Sequence, residues 1–368
     1  MARGIVIALI IVIVLGAFGL YAIQRGPSLL LRPPSEMRIA FVSDRNGQRD
    51  LWTMSADGSD VRPVTSDEAD DQSPAWSPDG REVASVSDRE GGTYQVFLSA
   101  WNGAYTRRMT ISAGSKDMPA WKPDGKELAF IASGKVMTIS RYGREETQFL
   151  PSPDVPDVGQ FSGGPAETYV SATWSAEGKS LLVVREMDAG ISAFIADPDR
   201  ELVGVTMARS LDVTWAPAEN KVAAAFTDRR GQNGLLIADM AQVEVTELFV
   251  TEGDSTGPAK PAWSPDGKRI VFEMWTIRNS TPDRCVGIYA VDVRGGSPRR
   301  LVEGDARAPS WSPDGKWLLY TLAGRNEDRD IWRINADGAG AVNLTRGEGD
   351  NHSPAWSRLF AGSPRSVL

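Results

Sequence analysis

The string Pro-Ala-Trp-Ser-Pro-Asp-Gly occurs at Pro74 and returns intact at Pro261, and this repetition constrains the chain more than any other feature. Close variants begin at Pro119 and Pro309, weaker copies at Ala172 and Val213, and a last fragment, Pro-Ala-Trp-Ser, at Pro354. The tryptophans of the seven copies are Trp76, Trp121, Trp174, Trp215, Trp263, Trp311 and Trp356. Their spacings are 45, 53, 41, 48, 48 and 45 residues. Solenoids and propellers have periods in this range, and four-stranded propeller blades run to about 40–45 residues.

Each unit reads the same way. A short strand ends at the tryptophan. Pro-Asp-Gly then makes a tight turn, because Pro presets φ, the Asp side chain caps the backbone and Gly accepts positive φ. A β-rich run follows, such as RIAFVS from Arg38 or RIVFEM from Arg269. A third strand (DLWTMS from Asp50, GIYAVD from Gly287) and a short fourth (RRLV from Arg299) complete the unit. Four strands per unit, seven units and almost no helical periodicity beyond residue 37 predict an all-β, seven-bladed propeller over residues 38–357. Strand alternation turns the seven tryptophans toward neighbouring blades, so they read as structural.

The phase of the repeat adds a topology. The first β-rich run, at Arg38, has no tryptophan strand before it, and the last tryptophan strand, at Pro354, has no second strand after it. The two halves complete one blade. The C-terminal strand is therefore expected to close the ring, which removes the exposed edges an open array would leave.

Trp-Ser-Pro-Asp-Gly from Trp263, followed by Arg-Ile-Val-Phe from Arg269, Ile288-Tyr289 and Arg-Arg-Leu from Arg299, resembles the repeat of TolB-type propellers. It is also similar to the propellers that accompany prolyl oligopeptidases and tricorn proteases. The resemblance covers residues 38–357 and implies the fold. It implies no particular role, because propellers host many. TolB itself has a mixed α/β domain ahead of a six-bladed propeller, and neither feature is matched here, so its Pal partner is not carried over.

Gly4 to Ile23 is a run of 20 residues without a charge. As a helix it would rise about 30 Å, the thickness of a bilayer core. Residues 1–25 are therefore expected to be an uncleaved membrane anchor, 26–37 a proline-containing linker and 358–368 a tail. A cleaved signal peptide is the closer alternative; its apolar region is shorter, about 7–15 residues, and ends at a small-x-small site. Here Leu20 stands where a small residue belongs. Arg3 on one side and Arg25 and Arg32 on the other leave the orientation open. The propeller is expected outside the cytoplasm, in the cell envelope.

Several function classes are excluded by counting. A net charge of −8 argues against nucleic acid, which needs a basic surface. One cysteine, Cys285, excludes an internal disulfide and a Cys-based zinc site. One histidine, His352, and no Gly-x-Ser-x-Gly elbow leave no Ser-His-Asp apparatus. No Asp-x-Asp-x-Asp-Gly calcium loop is present. No catalytic residue, metal or cofactor is expected.

In propellers, the connections from a fourth strand to the next first strand share one face with those from second to third strand. Taken as 66–72, 111–118, 151–170, 208–211, 250–259, 303–308 and 346–352, the first set holds 14 acidic residues against 4 basic ones. Asp70, Asp71, Asp117, Asp254, Asp305 and Asp350, with His352, are the candidate binding residues around this channel mouth. Two long segments on the same face add Phe161 and Tyr169 (Pro151–Val170) and Trp275 (Trp275–Cys285). The rim is either a solvated acidic surface or a mouth that attracts a basic peptide or binds a divalent cation, the cation being disfavoured by the missing calcium loop. The expected role is a non-enzymatic, membrane-tethered scaffold that binds a protein or peptide partner. The alternatives are a carboxylate enzyme of glycosidase or lyase type at the mouth, or a sensor subunit of an envelope complex.

Overall fold

The Pro-Asp-Gly segments close on themselves. Ser77 Oγ donates to Asp79 Oδ1 at 2.7 Å, Gly80 N donates to Ser77 O at 2.8 Å, and Gly80 takes φ +62°. The same lock recurs at Ser264–Asp266 and Ser312–Asp314. Even the weak copy at Ser175 forms the turn, with Gly178 N donating to Ser175 O at 2.8 Å. Each such turn reverses an innermost strand into the next one outward, as from Asp71–Trp76 to Glu82–Ser87.

The computed structural model describes residues 31, 33–143, 145–150, 168–187, 190–196, 202–206, 212–218, 220–228, 230–242, 244–251, 255–278, 281–324 and 327–358. These residues form 28 strands in seven antiparallel four-stranded sheets. Gly4–Ile23, Phe161 and Asp254 lie outside them. Among the described residues no helix is long and apolar enough to cross a membrane.

The expected closure is present. Blade one takes its innermost strand, Asn351–Trp356, from the far end of the chain and pairs it with Arg38–Ser43, with Ile39 opposite Trp356. Arg38 N donates to Ser357 Oγ and Ser357 N to Arg38 O, both at 2.8 Å.

The core is layered between blades. Ala84, Val86 and Leu98 of blade two share one cluster with Leu128, Phe130 and Ile139 of blade three, and the other joints repeat this pattern. The tryptophans tie the joints. Trp76 Nε1 donates to Ala355 O (3.1 Å), Trp121 to Ala75 O (3.0 Å), Trp215 to Thr173 O (3.1 Å) and Trp311 to Ala262 O (3.2 Å). In each case the acceptor is the carbonyl of the residue just before the preceding blade's tryptophan.

Trp275–Cys285 extends the blade-six hairpin as paired strand, and one expectation, on Tyr169, is corrected. The blade-six hairpin is paired as Arg269–Arg278 with Thr281–Asp292, because Trp275, Thr276 and Ile277 are β-formers that extend the ladder outward. Tyr169 is not a surface residue. It is 2% exposed, packed between blades three and four beside Leu150 and Ala172.

Candidate functional site

Comparing the repeats with one another separates scaffold from mouth. Trp and the small residue before it vary little, whereas the residues three and four positions before each Trp vary widely. Four before are Gln72, Asp117, Val170, Leu211, Ala259, Arg307 and His352; three before are Ser73, Met118, Ser171, Asp212, Lys260, Ala308 and Ser353. In five blades the innermost strand bulges there. Ser73, Met118, Lys260, Ala308 and Ser353 take φ between +49° and +55° at these bulges, each directly before a proline. Contacts cross between neighbouring blades at this level: Ser73 Oγ donates to Asp117 Oδ1 at 3.2 Å, and Lys260 Nζ pairs with Asp212 Oδ1 at 2.8 Å.

Most candidate carboxylates at the mouth already have partners. Asp71 is buried and takes both arms of one Arg89 nitrogen, at 2.8 and 2.9 Å. Burial pushes its carboxyl up, against the pull of Ser87, Thr65 and Arg89. Asp70 Oδ2 accepts from Tyr94 Oη and Gln72 Nε2, both at 2.7 Å. Asp305 is partly buried, yet Arg307 and Arg329 hold its carboxyl below the usual range. Asp350 accepts Arg329 N at 2.9 Å, and its own N donates to Asp44 Oδ1 at 2.7 Å. His352 is half-buried beside Ser353; burial lowers its imidazole pKa against the pull of Asp350.

A repeated Ser-Asp-Arg device docks these loops. In Ser43-Asp44-Arg45 and Ser87-Asp88-Arg89 the Asp accepts a loop amide (Asp350 N or Asp70 N). The Arg reaches the first residue of the innermost strand, Asn351 or Asp71, and lies over an aromatic ring, Trp52 at 4.9 Å or Phe97 at 4.9 Å. The rim is therefore held rigid by its own arginines, which is why counting one loop set overstates its free negative charge.

What remains exposed is chemically mixed. Ile111, on the connection between blades two and three, is 63% exposed, and Met118, at the bulge of the innermost strand Lys116–Trp121, is 43% exposed. Glu146 accepts Ile111 N, Ser112 N and Ser112 Oγ, and buried Lys116 donates to the carbonyls of Ser112, Ala113 and Gly114. Ile111 is thus presented on a fixed loop. Asp117 and Glu68 are exposed on the same face. Across the ring, Arg307 lies 4.8 Å over Trp275, whose Nε1 donates to Glu273 Oε2 at 2.7 Å. Glu273 is 4% exposed, and its other oxygen accepts Ala308 N at 2.7 Å. Burial pushes this carboxyl up. It holds the blade-seven bulge and the indole in place. Sequence reasoning missed Ile111, Met118 and Glu273; the variation among repeats at the positions before Trp could have pointed to Met118.

One buried carboxyl gives a pH signature. Asp50 is 2% exposed at the start of a third strand, and its Oδ1 has no hydrogen-bond partner. Burial, with help from Asp71 and Asp67, raises its pKa to about 6. A carboxyl whose folded pKa is raised destabilises the fold when ionised, so the penalty exists above pH 6 and fades as pH falls toward 4. Asp50→Asn is expected to stabilise the chain by up to about 2–3 kcal/mol at pH 7.5 and by almost nothing at pH 4. Thermal melts of parent and variant across this range check it; a gain independent of pH would assign the effect to packing instead.

Among the described residues, no group of three or more His, Cys, Asp or Glu side chains is placed to hold a metal ion. A family model described as the TolB beta propeller domain matches residues 31–157 and 166–357. The chain belongs to the TolB β-propeller family. This TolB-family chain is 27% identical, over 181 residues, to an uncharacterized protein of Agrobacterium fabrum, covering 49% of its own length and 59% of that relative's. It thus spans well under two thirds of that relative. Among solved structures it is similar to TolB from Acinetobacter baumannii, with TM-score 0.53, 20% identity and coverage of 88% of this chain and 67% of that one. It is also similar to oligogalacturonate lyase from Vibrio parahaemolyticus, with TM-score 0.60, 11% identity and coverage of 82% and 92%. At these identities the likeness is one of fold.

Proposed function

We propose that this TolB-family chain is a non-enzymatic propeller, tethered through residues 4–23 on the extracytoplasmic side of a membrane, that binds a protein or peptide partner at its channel mouth. The observation that carries the reading is exposed Ile111 on a loop fixed by Glu146 and Lys116, with exposed Met118 at the bulge of the strand that follows and the exposed acids Glu68 and Asp117 on the same face. An apolar anchor with an acidic rim suits a partner that is itself apolar and basic. The engagement of Asp70, Asp71 and Asp305 by Tyr94, Arg89, Arg307 and Arg329 favours binding over carboxylate chemistry.

The test starts with photo-crosslinkers in the full-length chain at Ile111 and Met118, and at Ala104 and Asp337 on the opposite face. A partner captured from the mouth only is the expected result. For that partner, replacing Ile111 and Met118 together by Ala is expected to weaken binding about tenfold or more. Replacing Glu68, Asp117 and Glu303 by their amides is expected to slow association and flatten its salt dependence, because rim charges act over about 8 Å at physiological salt. Equal capture from both faces, or binding indifferent to all five changes, would sink the reading.

A further inference from the structure

The chain enters the propeller at the blade whose innermost and second strands come from opposite ends of the chain and are joined by no turn. Where other blades turn from innermost to second strand, blade one brings together Ser357 and Arg38, joined by two 2.8 Å hydrogen bonds. The entry point therefore lies on the face of the turns, opposite the mouth. Residues 33–36 continue along that face. They line a cleft of about 410 Å³ with Asp60, Trp101 and Asn102, and Glu36 Oε1 accepts Ser55 Oγ at 2.7 Å. Pro34 is buried there, and Arg38 lies 5.2 Å over the Trp101 ring.

We propose that the turn face of blades one and two lies against the lipid surface, with the mouth pointing away from it; this rests on the tethered reading above. Nine residues separate Ile23 from Pro33. Nine residues span at most about 30 Å, and six-residue strands set the two faces about 20 Å apart. The nine residues would have to run nearly straight past the whole depth of the blade before the mouth could meet the bilayer, so an entry point on the turn face favours that face lying nearest the membrane. Charge acts in the same direction. On the turns of blades one and two, Arg38 and Arg62 pair with Asp60 and Arg81 with Asp79. The mouth keeps exposed Glu68 and Asp117, which anionic headgroups repel. A partner would then reach the mouth from the side away from the membrane.

Site-selective labelling tests this on the full-length chain. Cys285 is buried, and burial raises its thiol pKa to about 11, so it stays unreactive at neutral pH. Ala104→Cys puts a fluorophore on the turn face of blade two, and Glu68→Cys puts one on its mouth face; both positions are exposed. In vesicles of mixed neutral and anionic lipid carrying a headgroup-attached quencher, the label at 104 is expected to lose several-fold more intensity than the label at 68. Vesicle flotation without quenching bias, or with the bias reversed, overturns the orientation alone. A full-length chain that does not float with the vesicles overturns the tethered reading and the orientation with it.

Discussion

Deleting residues 351–368 is expected to abolish folding, giving insoluble protein or a chain with no cooperative melt. The deletion removes the innermost strand of blade one, so Arg38–Ser43 loses a neighbour. Trp76 loses its acceptor, Ala355 O, and Trp317 loses Trp356, stacked at 6.4 Å. Both joints of blade one open at once, and the ring gains the free edges that closure had hidden. A domain holds only about 5–15 kcal/mol in total, and a lost strand with two core joints exceeds that. Since failure to fold has many causes, a rescue sharpens the test. Placing Asn351–Arg358 ahead of Arg38 through a Pro-Asp-Gly turn rebuilds blade one in the order of blade two. Calorimetry should then show a single transition near that of the parent. A deletion variant that melts like the parent would mean that the C-terminal strand does not close the ring.

Trp76→Ala is expected to cost about 3–5 kcal/mol, and Trp275→Ala only about 1–2. Trp76 is 8% exposed and packs with Val42, Leu51, Val64 and Val83 at the joint between blades one and two. Its removal leaves a cavity and an unmet carbonyl at Ala355. Trp275 is partly exposed on the extended hairpin; its removal forfeits the Arg307 stack and one bond to Glu273. Denaturant melts of the two variants should separate clearly. Equal losses would show that the blade-six hairpin is part of the core.

Blade count, closure and turns were legible in the sequence because they rest on strictly local chemistry repeated in phase. Pro, Asp and Gly act within four residues of one another, and four intact copies with three weaker or partial ones, all in phase, reinforce a single reading. The mouth was less legible because its chemistry is non-local. Asp71 looks like a free carboxylate until Arg89, 18 residues on, is folded back onto it. Tyr169 looks like a loop aromatic until the strand Thr168–Trp174 carries it between two blades. Ile111 reads as one apolar residue in a loop, and only the grip of Glu146, 35 residues away, makes it a fixed protrusion.

The tryptophan joints carry a consequence for how such a ring can change over generations. At Trp76, Trp121, Trp215 and Trp311 the acceptor is a main-chain carbonyl, which every residue supplies. A joint of this kind does not read the identity of the blade it grips. For this bond a copied or exchanged blade brings its own donor and finds an acceptor ready in whatever precedes it, while the shared side-chain clusters remain specific to each joint. Trp174, Trp263 and Trp356 keep the same ring without that bond, which shows that single joints can lapse while the array holds. In a chain assembled this way the main-chain joint places no demand on which residues face the channel, and the coupling between neighbouring blades at that level is carried by a few side-chain pairs such as Ser73–Asp117 and Lys260–Asp212.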